Sequence, residues 1–419
     1  MVKSIYLPLD NSAYSLAGVD LAIELASLTG ASLTGSHVYA AKLHDRRFRQ
    51  MEGGLPAPYQ KEEKLIEQRE VHDDLITKGL SVISDSYLDV FDARCRAVGL
   101  EGRRVNLEGK NWQKLVEDIA ASDADLVVMG ALGLGVVAHS QIGSVCERVA
   151  RRIERDLWVV REIRPRSEGA IVVALDGSPQ SYGGLMTALE LGKVLDRHVE
   201  AVAVFDPDFH YVAFNSIAKV LSTEAAKIFR FEEQEKLHEE IIDAGLAKIY
   251  QGHLDVAVNL AKEQGIELKT KLLAGKPFAK LLEHAHETNP WLMVLGRIGV
   301  HSAPGMDLGS VTENLLRLGK NNLLLSARCF EPPIEHIEET TMAWTEEALV
   351  RMTRVPEFAR GMARKAIVKH ALKMGHTIVT SDVIDACMST IPSAAIDRYA
   401  EKHNLPREKM GGKCPFAHS

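Results

Sequence analysis

One pattern occurs twice, and it constrains the fold more than any other feature of the chain. The stretch DLVVMGALGLGVVAHSQIGSVCERV, residues 125–149, starts with an apolar run, Leu126 to Met129, that reads as a buried strand. Gly130 ends that run, and Gly133, Gly143 and Ser144 follow before a helix-like segment, VCERVARRI. WLMVLGRIGVHSAPGMDLGSVTENLLRL repeats the arrangement with Gly296, Gly299, Gly309 and Ser310, each 166 positions after its counterpart. The spacing in both copies is G-x2-G-x9-G-S. Turn composition alone does not produce four matches at one displacement. The displacement extends from Asp10 to Asp176, from Val38 to Val204 and from Gly109 to Gly275, so the repeat unit is a whole domain.

Each unit reads as alternating strands and helices, which implies a parallel sheet covered on both faces. In the first unit, strands are expected over 2–9, 31–40, within 94–109, over 125–129 and over 157–163. Helices are expected over 13–29, 59–90, 111–121 and 143–154, with 41–60 as loop because it holds Gly-Gly and two prolines. The second unit restarts at GAIVVALDGSPQS. Its helical stretch 222–263 corresponds to 59–90 with added length, and its charged face 222–240 reads as solvated. Residues 331–341, EPPIEHIEETT, read as an extended, solvated linker on their two prolines and four glutamates. Three helices are then expected, Trp344–Arg351, Pro356–Met374 and Ser381–Met388, with Thr380 or Ser381 capping the last. A helical unit this small buries little core alone and is expected to dock on another surface. The expected division is 1–166 and 167–330 as α/β domains, 331–341 as linker, 342–400 as helical domain and 401–419 as tail.

A strand–glycine loop–helix junction suits a phosphate. Glycine permits positive φ and close approach of backbone N–H groups to an anion. A serine opening the helix adds a hydroxyl and the positive end of the helix dipole. No Gly-Lys-Ser/Thr follows, so neither loop is a Walker A motif. The plain alternative is a junction that holds no ligand.

At these residues the chain resembles the universal stress protein family, whose ATP-binding members carry G-x2-G-x9-G-(S/T) after the fourth strand of a small α/β domain. The resemblance covers roughly residues 1–328 and implies two tandem Rossmann-like domains. It implies that Asp10 and Asp176 meet the ribose, that the backbone at Val38 and Val204 faces adenine, and that Gly130, Gly133, Gly143, Ser144, Val145 and Gly296, Gly299, Gly309, Ser310, Val311 hold phosphates, with Mg²⁺ as an accompanying ion. From the residues alone, the aspartates read equally as helix caps and the valines as strand core. Family members pair through their fifth strands, so LWVV and NLLLS are expected to pair within this one chain as a pseudo-dimer. The inner loops differ: LGVVAHSQI in the first, VHSAPGMDL in the second. Pro304 and Asp307 add rigidity and a negative charge, which makes the second site the less favourable unless a cation or Arg297 offsets Asp307.

The segment from Trp344 to Met388 resembles the small C-terminal domain of the B subunit of light-independent protochlorophyllide reductase. The residues carrying this are Trp344, Glu347, Ala348, Arg351, Val355, Pro356, Phe358, Arg360, Arg364, Gly375, Ile378, Thr380, Val383 and Ala386. In that reductase the domain lies near a tetrapyrrole; the cluster-ligand cysteines of the reductase have no counterpart here. In the tail, Cys414-Pro415 and His418 are candidate haem or metal contacts, with a mobile tail as the alternative.

Composition narrows the remaining classes. A net charge of −7 with no basic run argues against nucleic-acid binding. The scattered cysteines (Cys95, Cys146, Cys329, Cys387, Cys414) fit a reducing compartment, the opening MVKSIYLPLD leads straight into a strand, and no apolar run approaches a membrane span. A cytoplasmic location is therefore expected. No nucleophile–base pair, metal triad or Walker B carboxylate emerges, and His37, His139 and His301 near the loops read as structural; slow ATP hydrolysis stays open. The leading expectation is an adenine-nucleotide-binding regulator, with the helical domain as docking module for a protein partner and homo-oligomerisation as a further expectation. The rivals are a nucleotide-independent interaction protein and a haem- or tetrapyrrole-linked accessory protein.

Overall fold

The computed structural model describes residues 2–163, 168–207, 243–303, 305–355 and 357–390. The first unit contributes β1 (Ser4–Pro8), α1 (Ala13–Thr29), β2 (Ser32–Tyr39), α2 (Ala41–Met51), α3 (Glu62–Ala97), β3 (Gly102–Glu108), α4 (Asn111–Ala121), β4 (Leu126–Gly130), α5 (Ser144–Ala150) and β5 (Asp156–Val160). The second contributes β6 (Ile171–Leu175), α6 (Pro179–Val194), β7 (Val199–Phe205), α7 (Asp243–Glu263), β8 (Leu268–Ala274), α8 (Pro277–Thr288), β9 (Leu292–Gly296), α9 (Ser310–Leu318) and β10 (Asn322–Ser326).

All ten strands form one sheet, in the order β3-β2-β1-β4-β5-β10-β9-β6-β7-β8. Each half is parallel, and the halves join through the antiparallel pair β5/β10, with Leu323 opposite Val159 and Leu325 opposite Leu157. The expected pseudo-dimer is thus present within one chain. The seam is reciprocal. Asn322 Oδ1 accepts the Arg161 N–H at 2.9 Å, and Asp156 Oδ1, at the matching position of β5, accepts the Ala327 N–H at 2.7 Å. Glu313 pairs with Arg151 and Glu147 with Arg317, each at 2.7 Å. Every residue of β10 is buried, as expected of a strand paired on both sides and covered on both faces. Two apolar layers, one on each face, run across the seam; Trp158 and Trp291 meet edge-on in one of them, with ring centroids 5.3 Å apart.

The remainder forms α10 (Ile334–Thr341), β11 (Ala343–Trp344), α11 (Glu346–Thr353), α12 (Glu357–Lys373), β12 (Ile378–Val379) and α13 (Ser381–Ser389). The three expected helices are α11, α12 and α13, to which a short parallel pair, β11/β12, is added. Thr345 caps α11 and Thr380 caps α13. This unit has its own core around Met352, Ile367, Val379 and Ile384.

Three expectations need correction. Residues 41–60 are not loop: α2 and two short 3-10 turns pack on α3, where Glu52 pairs with Arg69 and Phe48 stacks on His72 at 4.0 Å. Residues 334–341 are a helix rather than an extended linker, because Glu335 and Glu338 find partners in Lys365 and Arg364 instead of water. The stretch between β7 and β8 holds no added residues either, although its part before Asp243 lies outside the described residues. Val38/Val204 and Gly109/Gly275 keep one displacement on both sides of it, and Glu263 ends α7 where Ala97 ends α3. The charged face 222–240 lies outside the described residues.

Candidate functional site

The sheet order reverses between β1 and β4, and again between β6 and β9, so a crevice opens beyond the carboxyl ends of each pair. The strands splay there. β1 pairs with β2 from Ser4 to Pro8 but with β4 only at Ile5 and Tyr6. Asp10, Val38, Gly130, Gly133, Gly143, Ser144 and Val145 all line one cavity of about 810 Å³ in the first crevice. Asp176, Val204, Gly296, Gly299, Gly309, Ser310 and Val311 all line one of about 190 Å³ in the second.

The aspartates hold the loops. Asp10 Oδ1 accepts the Ser12 N–H at 3.0 Å, and its Oδ2 accepts the Leu134 N–H at 3.2 Å. Asp176 does the same with Ser178 at 3.0 Å and Val300 at 2.9 Å. A Cβ on Gly133 would stand 2.4 Å from Asp10 Oδ2, and one on Gly299 2.4 Å from Asp176 Oδ2. Each Asp–Gly pair therefore works as a lock that fixes the loop above the strand ends. The helix caps are the neighbouring serines: Ser12 Oγ accepts from Ser15 N–H and Ser178 Oγ from Ser181 N–H.

The glycines serve close approach rather than left-handed backbone. None of the six has positive φ. A Cβ at Gly130 would meet Tyr14 Cβ at 2.9 Å, and one at Gly296 would meet the Gln180 and Ser181 backbone at 3.1 Å, so these glycines let α1 and α6 begin against the strand ends. The Gly143 and Gly309 N–H groups are spent inside the loops, on Ala131 O at 2.7 Å and Arg297 O at 2.8 Å. The amides left facing each cavity are those of the first turns of α5 and α9, at Ser144–Val145 and Ser310–Val311, which have no intrahelical acceptor.

Asp307 is not in the second cavity. It reaches across the seam to Arg151, Nη1 to Oδ2 at 3.1 Å. Partial burial works against its charge, but the Arg151 hydrogen bond, the Leu308 N–H and the Arg151 charge together hold its carboxyl below the usual range. Arg297 is buried and donates its Nη2 to Ala150 O, and it adds a charge interaction with Asp307 to the contact that Arg151 makes. The electrostatic objection to the second crevice thereby falls. Pro304 lies outside the described residues.

His37 lines the first cavity, its Nδ1 2.5 Å from Leu9 O and its ring edge-on to Tyr87; His301 lines the second; His139 has φ 72° and lines neither. Burial pushes the Cys146 thiol, also on the first cavity, up to about 12, so it stays protonated. Among the described residues no group of three or more His, Cys, Asp or Glu side chains stands together for a metal. Cys414 and His418 lie outside the described residues. The sequence reading missed the wall supplied by the long helices: Leu80, Ile83 and Tyr87 in the first crevice, Tyr250 in the second. The repeat held the signal, since Tyr87 and His253 are counterparts: Tyr87 lines the first cavity against His37, and His253 packs on Gly177 beside Asp176.

These features define a doubly wound α/β protein with a crevice at each of two switch points. The Universal stress protein family profile matches residues 1–161 and 169–326, so the chain belongs to the universal stress protein family. Residues 344–387 match the profile of the Proto-chlorophyllide reductase 57 kD subunit. Among curated proteins, a universal stress protein of Mycobacterium tuberculosis is 27% identical over 217 residues and one of Mycobacterium bovis 26%. Those alignments cover 50% of this chain and 61% of each relative. The crystal structure of a universal stress protein from Archaeoglobus fulgidus superposes with a TM-score of 0.52 at 15% identity, covering 77% of this chain and 97% of that one. A universal stress protein solved in complex with cAMP aligns over 39% of this chain and 98% of its own, at 24% identity and a TM-score of 0.25. No helix among the described residues is long and apolar enough to cross a membrane.

Proposed function

We propose that this chain binds an adenine nucleotide, ATP in the first instance, and acts as a cytoplasmic stress-response regulator whose helical domain docks a protein partner. The observation that carries the reading is the placement of two repeat-related sets of seven residues around two switch-point crevices. The glycine loop and the first helical turn meet there, where backbone amides and the helix dipole favour phosphate oxygens. The ribose and base would lie toward Asp10 and Val38, and toward Asp176 and Val204. The first cavity falls within the ordinary size range of small-molecule sites. Asp10 and Asp176 are engaged by loop amides, so Mg²⁺ would be held by the phosphates and water rather than by a protein cage.

Isothermal titration of the full chain with ATP, with mass spectrometry of any copurifying small molecule, tests the proposal. Saturable ATP uptake is expected, with loss of binding at the altered crevice in Gly133→Val and Gly299→Val. Absence of uptake from micromolar to millimolar ATP, together with no copurifying nucleotide, would refute it.

A further inference from the structure

The two halves differ in what lies behind their crevices. After β10 the chain turns back over the start of α6. Phe330 N–H donates to Pro179 O at 2.9 Å, and Gly183 is the position where a Cβ would collide with Arg328 O at 1.8 Å. The strand of chain then becomes α10, which lies on α7. A Cβ at Gly252 would stand 2.8 Å from Thr341 Cγ2 and 3.0 Å from Thr340 O, and His336 pairs with Glu263 at 2.9 Å further along the same helix.

The face of α7 turned away from α10 belongs to the second crevice. Tyr250 lines its cavity. The His253 ring packs against Gly177, where a Cβ would come within 2.4 Å of it, directly beside the Asp176 lock. Three near-adjacent residues of one helix, Tyr250, Gly252 and His253, thus touch the cavity, α10 and the aspartate turn. On its other side α10 is tied to α12 by Glu335–Lys365 and Glu338–Arg364, and the Arg364 guanidinium lies 4.8 Å over the Trp344 ring. The first half lacks this path. Ser86, the counterpart of Gly252 on α3, is exposed.

We propose that the helical domain reads the second crevice and not the first, through α7 and α10. This rests on the nucleotide reading above. A ligand that seats the Val300–Asp176 loop and fills the space beside Tyr250 shifts α7, and the tight Gly252 contact passes the shift to α10 and then to α12. Packed contacts, ion pairs and rigid helices that join two sites carry such coupling when they have two arrangements that both sites bias.

The test is hydrogen exchange of the full chain across α10 and α12 with and without ATP, with binding followed in parallel by calorimetry. ATP is expected to slow exchange there about fivefold, the low end of ordinary coupling between sites. Gly133→Val should preserve that response. Gly299→Val should abolish it, as should Asp176→Asn if the valine variant does not fold. The double variant Glu335→Lys/Glu338→Lys, confined to the α10–α12 ion pairs, should keep ATP binding and lose the response in α12. ATP bound at the second crevice with no change in α10 or α12, or a response that depends on Gly133 rather than Gly299, overturns this inference and leaves the nucleotide reading standing. No ATP uptake at all overturns the nucleotide reading, and this inference with it.

Discussion

The first and second crevices share their floor and loop but not their walls. In both, an aspartate accepts from a loop amide and presses on a glycine, and in both a glycine lets the following helix start against the strand end. The walls diverge at matching positions: Asn111 corresponds to Pro277 and Ser36 to Val202, Tyr87 lines the first cavity while its counterpart His253 packs on Gly177, and the first cavity is the larger. Loop geometry is fixed by the aspartate carboxylates and by close contacts at the glycines that leave no room for a side chain, and both halves share it. Wall residues answer only to what occupies the space, and they are where the two sites can take different ligands or different affinities.

The largest expected effect separates the two sites outright. Valine at Gly133 or Gly299 meets the locking aspartate oxygen, and overpacking of about 3 kcal/mol weakens that site more than about a hundredfold. Calorimetric stoichiometry should fall from two to one in each single variant. A wild-type value of one would show that the shared loop does not suffice for binding in both halves.

A smaller effect is expected at the seam. Arg151 holds Asp307 of the second loop and Glu313 of α9. Removing one partner of a part-buried ionic group is worth about 1 kcal/mol. Arg151→Ala should therefore weaken ATP at the second crevice about fivefold and at the first less than twofold. Equal losses at both would mean that the seam, not the Asp307 loop, sets the affinity.

The pH profiles sharpen the comparison further. Burial holds His253 below its ordinary value of 6.5, with Asp176 opposing only in part. The unfolded chain therefore binds a proton more readily, and stability is lost as pH falls from 6.5 toward the lower folded value. His253→Gln should flatten that slope in urea unfolding midpoints followed against pH. Asp156 has the opposite sign. Burial raises its carboxyl above 3.8 despite the bonds from Ala327 and Ser326, so stability falls as pH rises from 3.8 to the higher folded value. Asp156→Asn, which reproduces its counterpart Asn322, should remove that slope while keeping the β5/β10 pairing. An unchanged slope would show that Asp156 is not its source.

Much of the fold was legible because one displacement relates pairs from Asp10/Asp176 at one end of the repeat to Ser144/Ser310 near the other. A repeat read from sequence fixes element order, and parallel strands with helical crossovers leave few topologies. The residues gathered at each crevice were legible for the same reason. Their physical roles were less so. Glycine suggests positive φ, yet here it marks contact distances that only three-dimensional packing reveals. Asp307 reads as a charge in the loop, but its direction is set by Arg151, a residue from the other half. The glutamates of 331–341 read as solvated because their partners, Arg364 and Lys365, lie on a helix not yet placed. Helical periodicity located α3 but did not tell which residues of it turn toward the cavity.

The seam between β5 and β10 has a consequence for how this protein tolerates change. In an assembly of two identical chains, any substitution at the twofold contact appears on both sides at once, and dilution separates the partners. Here the partner is tethered, so unfolding of the seam is expected to be independent of protein concentration. One side can also change alone. Asp156 where the other half has Asn322, and Asp307 reaching Arg151 where Gln141 occupies the mirror position, are combinations a strictly symmetric dimer cannot hold.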